Sequence, residues 1–165
     1  MPRSNQQSDI TEAAKEVLES LLAAMGVAAS VVLKDKPSVE DEEASGAVVF
    51  DIRGDDLGIL IGRRGQTLSS LQYVVRLIMA HQRKARVPVS IDVEGYRERR
   101  DKALQSLALR MAEEVKVKGE PFTLEPMPAY ERRIIHLALA EHPDVTTQSI
   151  GVGEARRVVI SPRKK

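Results

Sequence analysis

Ile59-Leu60-Ile61-Gly62-Arg63-Arg64-Gly65-Gln66-Thr67-Leu68 is an apolar run that ends at a glycine, passes through two arginines and reaches a second glycine where a new periodic segment opens. Glycine admits positive φ and, lacking Cβ, lets another backbone come close. Two glycines around two cations therefore describe a tight turn that can press main-chain N–H groups against a phosphate while the guanidinium groups of Arg63 and Arg64 hold it. A helix starting just beyond adds its positive dipole end at the same place. Such a turn suits a sugar-phosphate chain. The G-x-x-G spacing alone is weak evidence, because many helix-helix turns carry two glycines for steric reasons, and its context must support it.

That context extends on both sides. Leu57 to Ile61 is short and apolar, and Leu68, Leu71, Val75 and Ile78 recur at helical spacing through His81, with Met79 beside them. The turn thus joins two helices, which is where the KH fold carries its G-x-x-G clamp for single-stranded nucleic acid. Upstream, Ala14, Val17, Leu18, Leu21, Leu22 and Met25 form one helical face from Thr11 on, stopped by Gly26, with Asp9 or Thr11 available as a cap. Residues 1–9 are polar and expected to be disordered. Val27 to Leu33 and Ala47 to Arg53 read as paired strands, with a loop over 34–45 that holds Pro37 and the acidic run Glu40-Asp41-Glu42-Glu43. After a basic stretch from Gln82 to Arg86, Val89, Ile91 and Val93 alternate with Ser90 and Asp92 as a third strand. Helix, strand, strand, helix, helix, strand over about 10–94 is the order of a type II KH domain.

Gly95 opens a long helix to about Lys118, with Leu104, Leu107, Ala108, Met111 and Val115 on one face and basic residues Arg97, Arg99, Arg100 and Lys102 in its first turns. Those cations serve either as a solvated face or as phosphate contacts. Pro121 to Pro128 leaves room only for a short strand at Phe122 to Leu124. A helix over Ala129 to Glu141 is expected to bury Ile134, Leu137 and Ala138, and strands at Val145 to Ile150 and Arg156 to Ile160 follow around a Gly151-Val152-Gly153-Glu154 hairpin connection. A basic tail, Ser161 to Lys165, closes the sequence. The whole reads as α+β.

Composition narrows the function. With no cysteine, disulfides and thiolate metal sites are excluded. No run reaches the ~20 apolar residues of a membrane span, and Met1 to Asp9 lacks a signal-peptide centre, so a soluble, cytoplasmic protein without membrane insertion is expected. Net charge is only +1, yet residues 1–56 hold 5 Lys and Arg against 12 Asp and Glu, a balance of −7, while 57–165 hold 20 against 12, a balance of +8. A basic surface for nucleic acid follows, with a solvated face as the plainer reading. Aromatic residues are few and Trp is absent, which disfavours base stacking on exposed rings. His81, His136 and His142 show no metal-ligand spacing, and no Lys-Ser/Thr follows Gly65 as a phosphate-binding Walker loop requires, so neither an enzyme nor a cofactor is expected.

Arg132 and His136 lie four apart on one helix face and can hydrogen-bond a phosphate or a base edge, with Arg133, Arg156 and Arg157 widening the positive surface. A helical His that merely packs locally is the alternative, and a short motif does not decide between them. Ile59, Ile61 and Leu68 are candidates for an aliphatic groove beside the turn, some of them necessarily core.

The turn and its flanks through Leu71-Gln72-Tyr73, followed by Met127-Pro128-Ala129-Tyr130-Glu131-Arg132-Arg133-Ile134-Ile135-His136 and Thr147-Gln148-Ser149-Ile150-Gly151-Val152-Gly153, resemble the bacterial Jag family, also called KhpB or EloR, the SpoIIIJ-associated KH-R3H proteins. The likeness covers about 10–162, and its two motifs stand in the family's order. It implies a type II KH domain over 10–94 and, over 95–165, an R3H domain with a small three-stranded sheet and helices, joined by the 95–118 helix. By position, Gly62, Arg63, Arg64 and Gly65 match the KH loop, and Arg132 and His136 the R3H pair. The resemblance further implies binding of single-stranded RNA, with single-stranded DNA as an alternative, and an RNA-chaperone or post-transcriptional role linked to cell elongation and envelope synthesis. A small KH-only partner of the KhpA type is implied too. The other reading is a scaffold whose KH unit mainly dimerises, RNA being secondary. Many members begin with a Jag N-terminal domain, whereas about nine polar residues precede the first helix here, so functions that depend on that domain are not expected.

Overall fold

The computed structural model describes residues 3–34 and 47–163, divided between Arg97 and Glu98 into two compact units. The loop expected over 34–45 lies outside the described residues except for Lys34, and so do the last two residues of the basic tail.

In the first unit, α1 (Arg3–Ala24) leads into β1 (Ser30–Lys34), β2 (Val48–Arg53), α2 (Gly58–Ile61), α3 (Gln66–Arg83) and β3 (Val89–Val93), the expected order. Helix α1 begins earlier than its apolar face does, so 3–9, expected to be disordered, are helical. No Gly or Pro interrupts that segment after Pro2, and Asp9 is tied to α3 by an ion pair with Arg83 at 2.6 Å. The helix buries Ala14, Leu18 and Leu22. It ends where Val27 N–H donates to Leu22 O and Gly26 N–H to Ala23 O, a Schellman closure around Gly26 at φ +70°.

The sheet runs β1-β2-β3. Strand β2 is central, antiparallel to β1 with Val32 opposite Asp51 and parallel to β3 with Phe50 opposite Ile91. Parallel neighbours cannot be joined by a hairpin. The crossover between them is α2, the glycine-bounded turn and α3, so the pairing of β2 with β3 places that turn at a corner between two helices. Phe50 and Ile52, fully buried, meet Leu18, Leu60, Leu68, Val75 and Met79 in one core. The outer edge of β3 is closed by side chains: Ile91 N–H donates to Gln72 Oε1 at 2.9 Å, Arg76 Nε donates to Val89 O at 2.6 Å, and Arg97 donates to Ile91 O at 3.3 Å. These bonds occupy Val89 O, Ile91 N–H and Ile91 O, groups that a further strand would have to pair with.

The second unit holds most of α4 (Tyr96–Lys118), then β4 (Phe122–Thr123), α5 (Ala129–Leu139), β5 (Val145–Ile150) and β6 (Arg157–Pro162). Its antiparallel sheet is ordered β4-β6-β5. Leu104, Ala108, Ala112 and Val115 of α4 pack with Ile134, Ile135 and Leu139 of α5 and with Val145, Val158 and Ile160. Leu137, expected inside, is 65% exposed. Helix α5 is turned so that Glu131 and Ile135 face inward in its place, Glu131 being held by Arg100 through two bonds of 2.8 and 2.9 Å. The Tyr130 hydroxyl donates to the Asp101 carboxylate beside them.

Candidate nucleic-acid interface

Helix α2 stops at Gly62, whose N–H bonds Gly58 O at 3.0 Å and whose φ is +69°. One 3-10 turn follows over Arg63–Gly65, with Arg64 at φ +54°, ψ +32°. Gly65 at φ +77° then caps α3. Three of four consecutive residues thus have positive φ, and for Arg64, which is left-handed, this costs about 1–2 kcal/mol. Strain of this kind is concentrated at ligand-binding turns. No side chain caps the start of α3, and its first turn carries no acidic residue. Gln66 N–H is taken up by Arg63 O, and neither the N-cap nor the first turn of α3 places a carboxylate at its positive dipole end.

Arg63 is exposed and Arg64 half-buried at this corner. The groove candidates separate. Ile59 is 67% exposed and Leu68 only 2%, while Ile61 packs partly against the core. Leu68 therefore does not line a surface groove, because it sits on the inward stripe of α3 with Leu71, Val75 and Met79. The turn's apolar neighbours at the surface are Ile59 and the exposed part of Ile61.

In the second unit α5 and β5 build the other constellation. Arg132 donates from Nε to Met127 O at 3.2 Å and from Nη1 to Ser149 Oγ at 3.2 Å. Both nitrogens of His136 are engaged, Nδ1 with Thr147 Oγ1 at 2.6 Å and Nε2 with Ser149 Oγ at 2.8 Å. These distances accommodate the order Arg132 to Ser149 to His136 Nε2, with Nδ1–H donating to Thr147, as one of two neutral-ring arrangements. That order needs a neutral ring. Burial lowers the His136 pKa and the nearby Arg132 charge lowers it further, in agreement with it. The imidazole thus braces two hydroxyls of β5 instead of projecting freely. Thr147 and Ser149 stand in the sequence only within the stretch that carries the family resemblance, with no site role read for them; their signal is the period-two alternation Val145, Thr147, Ser149 that faces α5.

Arg133 is exposed next to Arg132. Arg157 is not gathered with them. It pairs with Ile150 across the hairpin, on the sheet face opposite Thr147 and Ser149, and its Nε is spent on Ala155 O at 3.1 Å. Among the described residues no three His, Asp or Glu side chains converge to hold a metal ion, and no helix is long and apolar enough to cross a membrane.

The ring of His136 carries a pH prediction. Its pKa in the folded protein lies below the ordinary 6.5, so the unfolded chain takes up the proton first. Its contribution to stability is full above pH 6.5 and is lost as pH falls through the folded-state value. The thermal midpoint is expected to drop with acid below that point, and His136→Gln to flatten the drop over the same window; an identical pH profile for the two proteins contradicts this.

A model of the KH domain of KhpA and KhpB matches residues 15–91, and a model of the R3H domain matches 102–162. The chain is 40% identical over 163 residues, 99% of its length, to the RNA-binding protein KhpB of Clostridium symbiosum, of which it covers 71%. It is 36% identical over 131 residues to the RNA-binding protein KhpB of Bacillus subtilis, covering 78% of this chain and 63% of that one. To the RNA-binding protein KhpB of Lactiplantibacillus plantarum it is 43% identical over 107 residues, 65% of this chain and 33% of that one.

Proposed function

Because the chain belongs to the KhpB family, a KH domain followed by an R3H domain, we propose that it binds single-stranded RNA, with the phosphates seated on the turn from Gly62 to Gly65. The observation that carries this is the positive-φ turn, with exposed Arg63 and half-buried Arg64, leading into a helix start that no side chain caps. In that seat backbone N–H groups meet phosphate oxygens while Arg63 and Arg64 supply charge, and the bases lie toward Ile59 and Ile61. About four nucleotides fit such a clamp. With an aliphatic wall and no obvious row of base-edge donors, sequence preference is broad. Arg132, Ser149, His136, Thr147 and exposed Arg133 form an auxiliary contact on the second unit, and avidity between two weak sites raises the affinity of one chain. The RNA-chaperone or post-transcriptional role, with its link to cell elongation and envelope synthesis, is supported by the family resemblance, as is the protein's action as a binder and not an enzyme.

The test is fluorescence anisotropy of a labelled single-stranded oligoribonucleotide across a salt series. About three neutralised phosphates give a slope of roughly −2 in log affinity against log salt. Absence of binding, or binding indifferent to salt, overturns the reading.

A second property of the same domain is supported by α3. Tyr73, Val74 and Leu77 are 64%, 41% and 50% exposed on its outward side, an apolar stripe next to the buried one. Such a stripe suits pairing with a second KH domain, from another copy or from a small KH-only protein. Sedimentation of wild type and Leu77→Glu reads it: a micromolar dimer that the variant dissociates supports the pairing, and two equally monomeric proteins remove homodimerisation.

A further inference from the structure

Each glycine of the G-x-x-G turn is packed against a side chain from outside the motif. A Cβ at Gly62 would stand 2.1 Å from Thr67 Oγ1, and one at Gly65 would stand 2.9 Å from Cε1 of Tyr96, with its Oη and Cζ at 3.5 and 3.6 Å. Thr67 follows within the turn's own helix. Tyr96 lies 31 positions beyond Gly65 in sequence, is the first residue of α4, and falls outside both stretches matched by the domain models, 15–91 and 102–162.

Its ring is not placed by chance packing. The chain turns sharply before it through two left-handed residues, Glu94 at φ +48° and Gly95 at φ +66°. Glu94 is anchored at both ends, its N–H donating to Ile52 O at 3.2 Å and its Oε1 accepting from Gly54 N–H at 3.3 Å. On the other side Arg97 N–H donates to Asp92 Oδ1 at 3.3 Å, and the Arg97 guanidinium bonds Ile91 O and, at 3.1 Å, Gln72 Oε1. Asp92 is 5% exposed. The residues before and after Tyr96 are thus tied to β2 and β3, and the ring is carried to the underside of Gly65 by the rigid sheet while it packs on the same core as Ile61.

We propose that Tyr96 is a positioning residue for the phosphate-binding turn: its ring edge sets the height of the Gly65 backbone, and through it the aim of the first N–H groups of α3. The inference rests on the reading that this turn binds RNA. Tyr96 acts through Gly65 and the phosphates sit on the opposite side of that backbone. The close contact is made by a ring carbon, so the aromatic edge matters more than the hydroxyl.

The experiment measures affinity of the full chain for a labelled single-stranded oligoribonucleotide in six proteins: wild type, Tyr96→Phe, Tyr96→Ala, Gly65→Ala, the Tyr96→Ala/Gly65→Ala double variant, and Arg63→Asp/Arg64→Asp. Circular dichroism at the assay temperature accompanies each. Tyr96→Phe is expected to bind within about twofold of wild type and Tyr96→Ala about tenfold more weakly while folded. Gly65→Ala meets both the left-handed φ and the ring, whereas in the Tyr96→Ala background it meets the φ alone. The fold-loss from Gly65→Ala should therefore shrink about threefold there, a coupling that a merely structural contribution does not produce. Independent, multiplying losses overturn the positioning role, and so does wild-type affinity in Tyr96→Ala. If Tyr96→Ala does not fold, the Phe variant and the Gly65→Ala loss measured in a Tyr96→Leu background decide by the same coupling. Loss of binding in the Asp pair together with wild-type binding in Tyr96→Ala removes this proposal alone; wild-type binding in the Asp pair removes the reading of the turn and this proposal with it.

Discussion

Replacing Arg63 and Arg64 together by Asp is expected to weaken single-stranded RNA binding at least about a hundredfold and to leave the fold intact. Two charge-assisted contacts, each of about 1.5–3 kcal/mol, are lost, and 1.4 kcal/mol is a factor of ten. The new carboxylates then stand before the start of α3, where an anion is favoured by the helix dipole. They compete with phosphate for the same N–H groups, so the loss exceeds that of two alanines. Stability should hold for related reasons. Arg63 is exposed, and Asp tolerates the left-handed backbone that Arg64 adopts at φ +54° better than most residues do. Far-ultraviolet circular dichroism and anisotropy on the same samples check both halves. Unchanged affinity in a folded variant rules out the turn as the phosphate seat.

Gly62→Ala is expected to damage the turn from within, costing about 2–5 kcal/mol of stability. Part is the backbone, since φ +69° with ψ −171° is open essentially to glycine alone and costs about 1–3 kcal/mol for a residue with Cβ. The rest is overlap, since the added carbon lies 2.8 Å from Thr67 Cβ and 3.0 Å from Thr67 N as well as against the hydroxyl. Rotating the Thr67 side chain relieves only the hydroxyl contact. The backbone must move, and RNA affinity should fall with it. Urea denaturation reads the first effect and anisotropy the second. An unfolding free energy within about 0.5 kcal/mol of wild type, with full affinity, means that the turn tolerates a side chain and is not tightly built.

Much of this architecture was legible in residue order because the signals were local. Glycines bracketing Arg63 and Arg64, the period-two runs at Val89 to Val93 and Val145 to Ile150, and the stripe Leu68, Leu71, Val75 each name an element from a few neighbouring positions. What local pattern does not encode is which of two apolar residues wins the inward position. Leu137 and Ile135 are both acceptable on α5, and the face that is buried holds Glu131, bonded to Arg100, with Ile134, Ile135 and Leu139, which leaves Leu137 outside. Ile59 and Leu68 are equally apolar in sequence and separate only once α2 and α3 pack. Arg157 is a matter of strand parity: one residue along β6 puts it on the other face from Ser149. Asp9 on helix α1 meets a partner 74 residues away, and Tyr96 reaches Gly65 across 31. Neither separation leaves a periodic trace.

The most direct test of the phosphate seat is a titration of the isotopically labelled chain with a short single-stranded oligoribonucleotide, followed through backbone amide resonances. The account predicts that the largest shifts fall on Gly62, Arg63, Arg64, Gly65, Gln66 and Thr67, with a weaker set at Arg132, His136 and Ser149. RNA that binds while those six amides stay unmoved contradicts it.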